Sequence, residues 1–162
     1  MKTLYLIRHA KSDWSNPFLS DFNRPLNKRG EKNAPFMGKL LASKKVMPDL
    51  IISSPANRAK TTAKKIAKKI NYMQNIVFEE SIYEANSNDL ENLIKKLDNK
   101  YNKIFLVGHN PSFNIFTSSF VDFYENIPTC GIVQLEFDIN NWDEINSKNA
   151  KLVSFEYPKK YK

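Results

Sequence analysis

Short apolar, β-branched runs alternate with helix-spaced apolar stripes along most of the chain. Thr3 to Arg8 reads as a buried strand, followed by a polar loop of Ser, Asn, Asp and Pro from about Lys11 to Pro25. Asn27 is placed to cap a helix running to about Lys45, with Phe36, Met37, Leu40 and Leu41 inward and Pro35 as a kink. Asp49 to Ser53 is a second strand. Ala59, Ala63, Ile66, Ala67 and Ile70 stripe a helix from about Ala56, with Lys60, Lys64 and Lys68 on its wet side. Ile76 to Glu79 gives a third strand, and Asn88 with Glu91 forms a capping-box pattern ahead of Leu90, Leu93, Ile94 and Leu97. Lys103 to Gly108 is a fourth strand, and Pro111 suits the first turn of the next helix. The pattern then changes to two strands, Ile132 to Ile139 and Lys151 to Tyr157, one of which is expected to run antiparallel. The Lys-rich tail after Pro158 is expected to fray.

Strands alternating with helices predict an α/β fold. The expected architecture is one domain over residues 1–162, a three-layer sandwich with a mostly parallel, mixed central sheet and helices on both faces. A chain of 162 residues, 41% hydrophobic and 26% charged, is long enough to support its own core. Cys130 is the only cysteine, which excludes a disulfide scaffold and fits a reducing cytoplasm. The longest apolar runs, Leu4 to Ile7 and Ile104 to Val107, fall far short of the ~18 residues of a membrane span. Arg8, His9 and Lys11 also cut the first of them below the ~7 residues of a signal peptide core. A cytoplasmic monomer with no membrane attachment is expected.

The formal charge of +8 raises the possibility of a polyanionic partner. Only Arg8, Arg24, Arg29 and Arg58 among the 25 basic residues are arginines, the better residue for bidentate base and phosphate recognition. The lysines read as a solvated coat, and no nucleic-acid partner is expected.

Chemistry concentrates at strand ends. The two histidines stand just beyond the first and fourth strands, as Arg8-His9 and Gly108-His109, where ligands bind in open parallel sheets. Ser53-Ser54-Pro55-Ala56-Asn57-Arg58 turns a third strand end into a helix, with an arginine where the helix terminus already favours anions. The spacing of the four glycines gives no Walker A loop, and two histidines without a carboxylate cluster do not suit a two-metal centre. Neither a metal nor a cofactor is expected.

These segments resemble a known family. Leu6-Ile7-Arg8-His9-Ala10, the run from Ser53 to Ala63 and Val107-Gly108-His109-Asn110-Pro111-Ser112 are similar to the signature segments of the histidine phosphatase (phosphoglycerate mutase-like) superfamily. The run Asp21 to Gly30 resembles its small SixA-type phosphohistidine phosphatase branch. Ala10 stands where the family commonly has Gly. The helical insertion that many relatives place over the pocket is missing, since about two dozen residues separate the third and fourth strands.

The resemblance implies a metal-independent phosphatase with His9 as nucleophile and Arg8, Arg58 and His109 around the phosphoryl oxygens. It also implies Glu84 as the acid protonating a leaving oxygen, although a solvated loop glutamate fits the same position. Arg24 either reaches the phosphate or pairs with Asp21, and Ser12 and Asn110 are candidate pocket walls. Trp14 and Phe18 either hold a protein partner or anchor their loop. An uncovered pocket favours phosphohistidine in a protein; small phosphate esters, or phosphate binding without turnover, are the alternatives.

Overall fold

The computed structural model describes residues 1–162. Six strands, β1 (Lys2–Arg8), β2 (Leu50–Ser53), β3 (Val77–Phe78), β4 (Lys103–Gly108), β5 (Ile132–Phe137) and β6 (Ala150–Glu156), form one sheet in the order β3-β2-β4-β1-β5-β6. β1 to β4 are parallel, and β5 lies antiparallel to both β1 and β6. The run Lys2–Ile7 is buried throughout, because both faces of the sheet are covered. Leu4 and Leu6 enter a core with Ile104, Leu106 and Val133 beneath α3 (Ser87–Lys95) and α4 (Ser112–Phe120). Tyr5 and Ile7 enter the opposite core with Ile51, Phe105 and Val107 beneath α1 (Lys28–Ser43) and α2 (Asn57–Lys69). The alternation of side chains along each strand thus makes the three layers.

Beyond the ends of β1 and β4 the chain leaves for opposite faces, to α1 and to α4. A crevice opens where neighbouring strands part company in this way, and the site lies there. The loop after β1 closes at its neck. Ser12 bridges Leu26, the Asp13 N–H donates to Pro25 and the Asn27 N–H donates to Lys11. The lobe Trp14 to Arg24 projects from this neck.

Several elements differ from the sequence expectation. The third strand is only Val77–Phe78, partly exposed at the sheet edge. The capping box of α3 is Asn86 with Asp89, not Asn88 with Glu91: Asn86 has the extended backbone of a cap, whereas Asn88 is already helical. The tail does not fray. Lys160 and Tyr161 donate to the buried Glu156 carboxylate, and Lys162 Nζ donates to Asn33 Oδ1 on α1 at 2.8 Å. Burial would raise the Glu156 carboxyl, but its hydrogen bonds from Lys160, Tyr161 and Lys44 outweigh that and hold it below its ordinary value.

Candidate active site

Strand register brings the two histidines together. Arg8 pairs with Gly108 across β1 and β4, and the His9 N–H donates to the Gly108 carbonyl at 3.0 Å. The imidazole centroids of His9 and His109 lie 5.2 Å apart. Ser54, at the end of β2, donates its N–H to Val107, which adds a third strand end to the same edge. Two further bonds fix the backbone: Cys130 N–H lies against the carbonyls of Arg8 and His9, and Ala10 N–H donates to Thr62 Oγ1 on α2.

His9 Nδ1 lies 2.7 Å from the Ala10 carbonyl, which can only accept, so the ring proton sits on Nδ1 and Nε2 keeps its lone pair. Ser54 Oγ accepts from the Ala56 N–H at 3.2 Å and lies 2.8 Å from His109 Nε2. Burial, reinforced by Arg58 and Arg8, pushes the His9 imidazole down to about 4 against a smaller opposing pull from Ala10. Burial also pushes His109 down to about 3, helped by His9 and Arg58. Both rings are neutral at pH 7, as a nitrogen nucleophile requires.

Arg8 donates through Nη1 to the Ile127 carbonyl at 2.9 Å, and burial lowers its pKa. Arg58 lies in the first turn of α2, a helix with neither a side-chain cap nor an acidic residue at its N-terminus. Its Nη1 donates to the Asp21 carbonyl at 2.8 Å and its Nη2 to Asp21 Oδ2 at 3.1 Å. In the whole chain three buried side-chain polar atoms lack a partner: Arg8 Nε, Arg24 Nε and His109 Nδ1. Arg8 Nε is a donor beside His9, whereas Arg24 Nε faces Asp21 Oδ1 at 3.6 Å. An unsatisfied buried donor costs about 1–3 kcal/mol, so the unpaired Arg8 Nε next to His9 suits a pocket that receives an anion.

Arg24 stacks on Trp14, 3.2 Å from the ring centroid, and its Nε lies 3.6 Å from Asp21 Oδ1. It therefore makes the Asp21 pairing. Ser12 is buried in the loop neck, while Asn110 bonds the Ile127 carbonyl and Asn114 N–H and so supports the wall rather than facing it with free groups. Glu84 is exposed, with φ of 61°, and its carboxylate makes no hydrogen bond or ion pair with the cluster. The backbone turn there leaves Glu84 outside and Tyr83 inside. Tyr83 packs edge-on against His109 at 5.7 Å and donates its hydroxyl to Asp21 Oδ2 at 2.7 Å. Burial and then the Asp21 bond push the Tyr83 phenol up to about 12. Asp21 is held below its ordinary value, chiefly by Tyr83 and, against some desolvation, by Arg58 and Arg24. Sequence reasoning did not assign roles to Ser54, Thr62 or Tyr83, and named Asp21 only as a possible partner of Arg24. Ser54 and Thr62 carried a signal through the run Ser53 to Ala63, and Asp21 through the run before Gly30.

Paired neutral imidazoles, two guanidiniums and an uncapped helix terminus at the carboxyl edge of a parallel sheet define a phosphoryl-handling enzyme. The chain belongs to the histidine phosphatase superfamily (branch 1), whose family model matches residues 4–127. It is a phosphatase of that superfamily, and its fold is that of the SixA-type members. The protein assigned as phosphohistidine phosphatase SixA in Agrobacterium tumefaciens superposes with a TM-score of 0.84 at 29% identity, over 97% of this chain and 98% of that one. The protein histidine phosphatase SixA complexed with tungstate gives the same TM-score at 16% identity, over 99% of each chain, and shows the shared fold. An uncharacterised chloroplastic protein of Arabidopsis thaliana is 32% identical over 88% of this chain and 70% of its own length.

Proposed function

We propose that the protein dephosphorylates phosphohistidine in a protein through a phosphorylated His9, without a metal, in the cytoplasm. The observation that carries this reading is His9 itself. Its Nδ1–H is held by Ala10, which leaves Nε2 to attack in the field of Arg58 and Arg8. The guanidiniums, with His109 beside them, supply charge and donors for the three non-bridging oxygens as negative charge gathers on them. Water then splits the phospho-enzyme and restores neutral His9.

A protein substrate is supported by the open lobe, where Phe18 is 95% exposed and Trp14 also faces solvent. The likeness to the Agrobacterium SixA protein points to the same leaving group. Glu84 is assigned to proton delivery when the leaving group is an alcohol, a step that a protonated imidazole does not need.

Brief reaction with labelled substrate, quenched without acid, is expected to trap phosphate on His9. His9→Ala is expected to abolish both trapping and turnover while the fold persists. Activity is expected to survive chelators, and loss in chelator with recovery on adding a divalent ion would overturn the metal-free mechanism. Faster wild-type turnover of small alkyl esters than of a phosphohistidine protein would replace the substrate assignment.

A further inference from the structure

Asp21 is the one carboxylate bonded into a site otherwise built to hold an anion. Its Oδ2 accepts from Tyr83 at 2.7 Å and from Arg58 at 3.1 Å. Its Oδ1 has only the 3.6 Å approach of Arg24 Nε, beyond hydrogen-bond length, and the side chain is 48% exposed. One carboxylate oxygen is thus anchored and the other is open to a further donor. The surroundings are aromatic: Tyr83 lies edge-on to His109 at 5.7 Å, and Phe22 lies edge-on to Tyr83 at 5.2 Å. The negative charge of Asp21 acts on both imidazoles of the site, raising each against the stronger effect of burial.

A carboxylate oxygen that accepts no hydrogen bond and has only the longer ion pair with Arg24, beside aromatic rings, suits a flat, cationic N–H donor. It repels a developing alkoxide. We propose that Asp21 accepts the second ring N–H of a phosphohistidine leaving group, and so selects a protonated imidazole over an alcohol. The inference rests on the phosphatase reading above and names the residue that sets its substrate class.

The electron bookkeeping closes without an external acid. His9 Nε2 forms the new N–P bond while the substrate N–P bond breaks, its electron pair returning to the ring nitrogen that carried phosphorus. The other ring nitrogen keeps the proton held against Asp21, so the ring departs as neutral imidazole. Phosphorylated His9 retains its Nδ1–H. Water adds its oxygen to phosphorus, the His9 N–P bond breaks, and neutral His9 and dihydrogen phosphate result. No step draws on Glu84, which agrees with its exposed, unpaired position.

The test compares Asp21→Asn with wild type on a phosphohistidine protein and on an aryl phosphate, whose leaving group carries no N–H. The amide keeps an oxygen for Tyr83 and Arg58 but loses the charge. Both rates are expected to fall, since Arg58 loses its charged partner. The loss on phosphohistidine is expected to exceed that on aryl phosphate by about 10- to 100-fold, the range for one charge-assisted hydrogen bond. Tyr83→Phe removes one anchor without removing charge and is expected to shift the same ratio in the same direction, by less. It keeps the question answerable should Asp21→Asn fold poorly. Equal losses on the two substrates for both variants would make Asp21 a positioning residue for Arg58 alone and overturn the proposal. A wild type that turns over aryl phosphate but not phosphohistidine would instead overturn the substrate assignment on which the proposal stands.

Discussion

A nucleophile must be neutral before it attacks, and for His9, the nucleophile proposed above, that condition is set by burial more than by any single partner. Both imidazoles are therefore expected to stay neutral at pH 5 in the free protein. Titration followed by NMR is expected to give midpoints at about 4 for His9 and about 3 for His109. A midpoint near the ordinary 6.5 for His9 would show that the ring is open to water. The sign of the linked stability follows. Unfolded histidines bind protons below about 6.5 while the folded ones do not, so stability falls as pH drops from about 6.5 toward 4. Glu84 has its own signature. Glu84→Gln is expected to slow alkyl ester hydrolysis by ~10²- to 10⁴-fold and to cost phosphohistidine and aryl phosphate turnover far less, measured as kcat/KM on each. Arg8, His9, Arg58 and His109 were legible in the sequence because strand ends and a helix start fix their positions locally. Tyr83 and the charge network of Asp21 were not, because their partners lie 62 and 37 residues away and meet only when the lobe folds back.

The loop after β1 behaves as an element because its neck is hydrogen-bonded and its lobe is clasped to α2, where Asn57 Nδ2 donates to the Asn23 carbonyl at 3.1 Å. Gly30 in the first turn of α1 lets that neck pass. A β-carbon there would press into the Lys11 carbonyl, the same oxygen that accepts from Asn27. Gly30→Ala is expected to cost about 1–3 kcal/mol in denaturant unfolding and to lower turnover as the lobe shifts. Wild-type stability and activity in this variant would mean the neck yields freely. At this scale the apolar periodicity located the central strands and three of the helices, and Pro111 marked the start of the fourth. It did worse at β3, where two partly exposed edge residues carry almost no pattern, and at the α3 cap. There several Asn, Asp and Glu residues offer competing capping pairs, and backbone conformation alone chooses among them.

Across the whole molecule, the tail ties the carboxyl end of β6 to α1. Removing residues 160–162 leaves Glu156 buried with only Lys44, 3.2 Å away. This is expected to cost about 1–3 kcal/mol, read as a fall of several degrees in Tm with the site chemistry retained. No loss would return the tail to the frayed segment that its composition suggested. The sequence pointed to fraying because a short Lys-rich run signals solvent unless a buried acid awaits it, and Glu156 looked like an ordinary strand residue. No helix is long and apolar enough to cross a membrane, and the lysine coat sets the net charge of +8. The pairing of Leu4 with Ile104 joins positions 100 residues apart, and it is this register that sets His9 beside His109. A ribosome releases the first of these strands long before the second. The growing chain therefore carries its proposed nucleophile from the start yet has no second histidine beside it until most of the protein has emerged, so full activity reports that the two ends of that long interval have met.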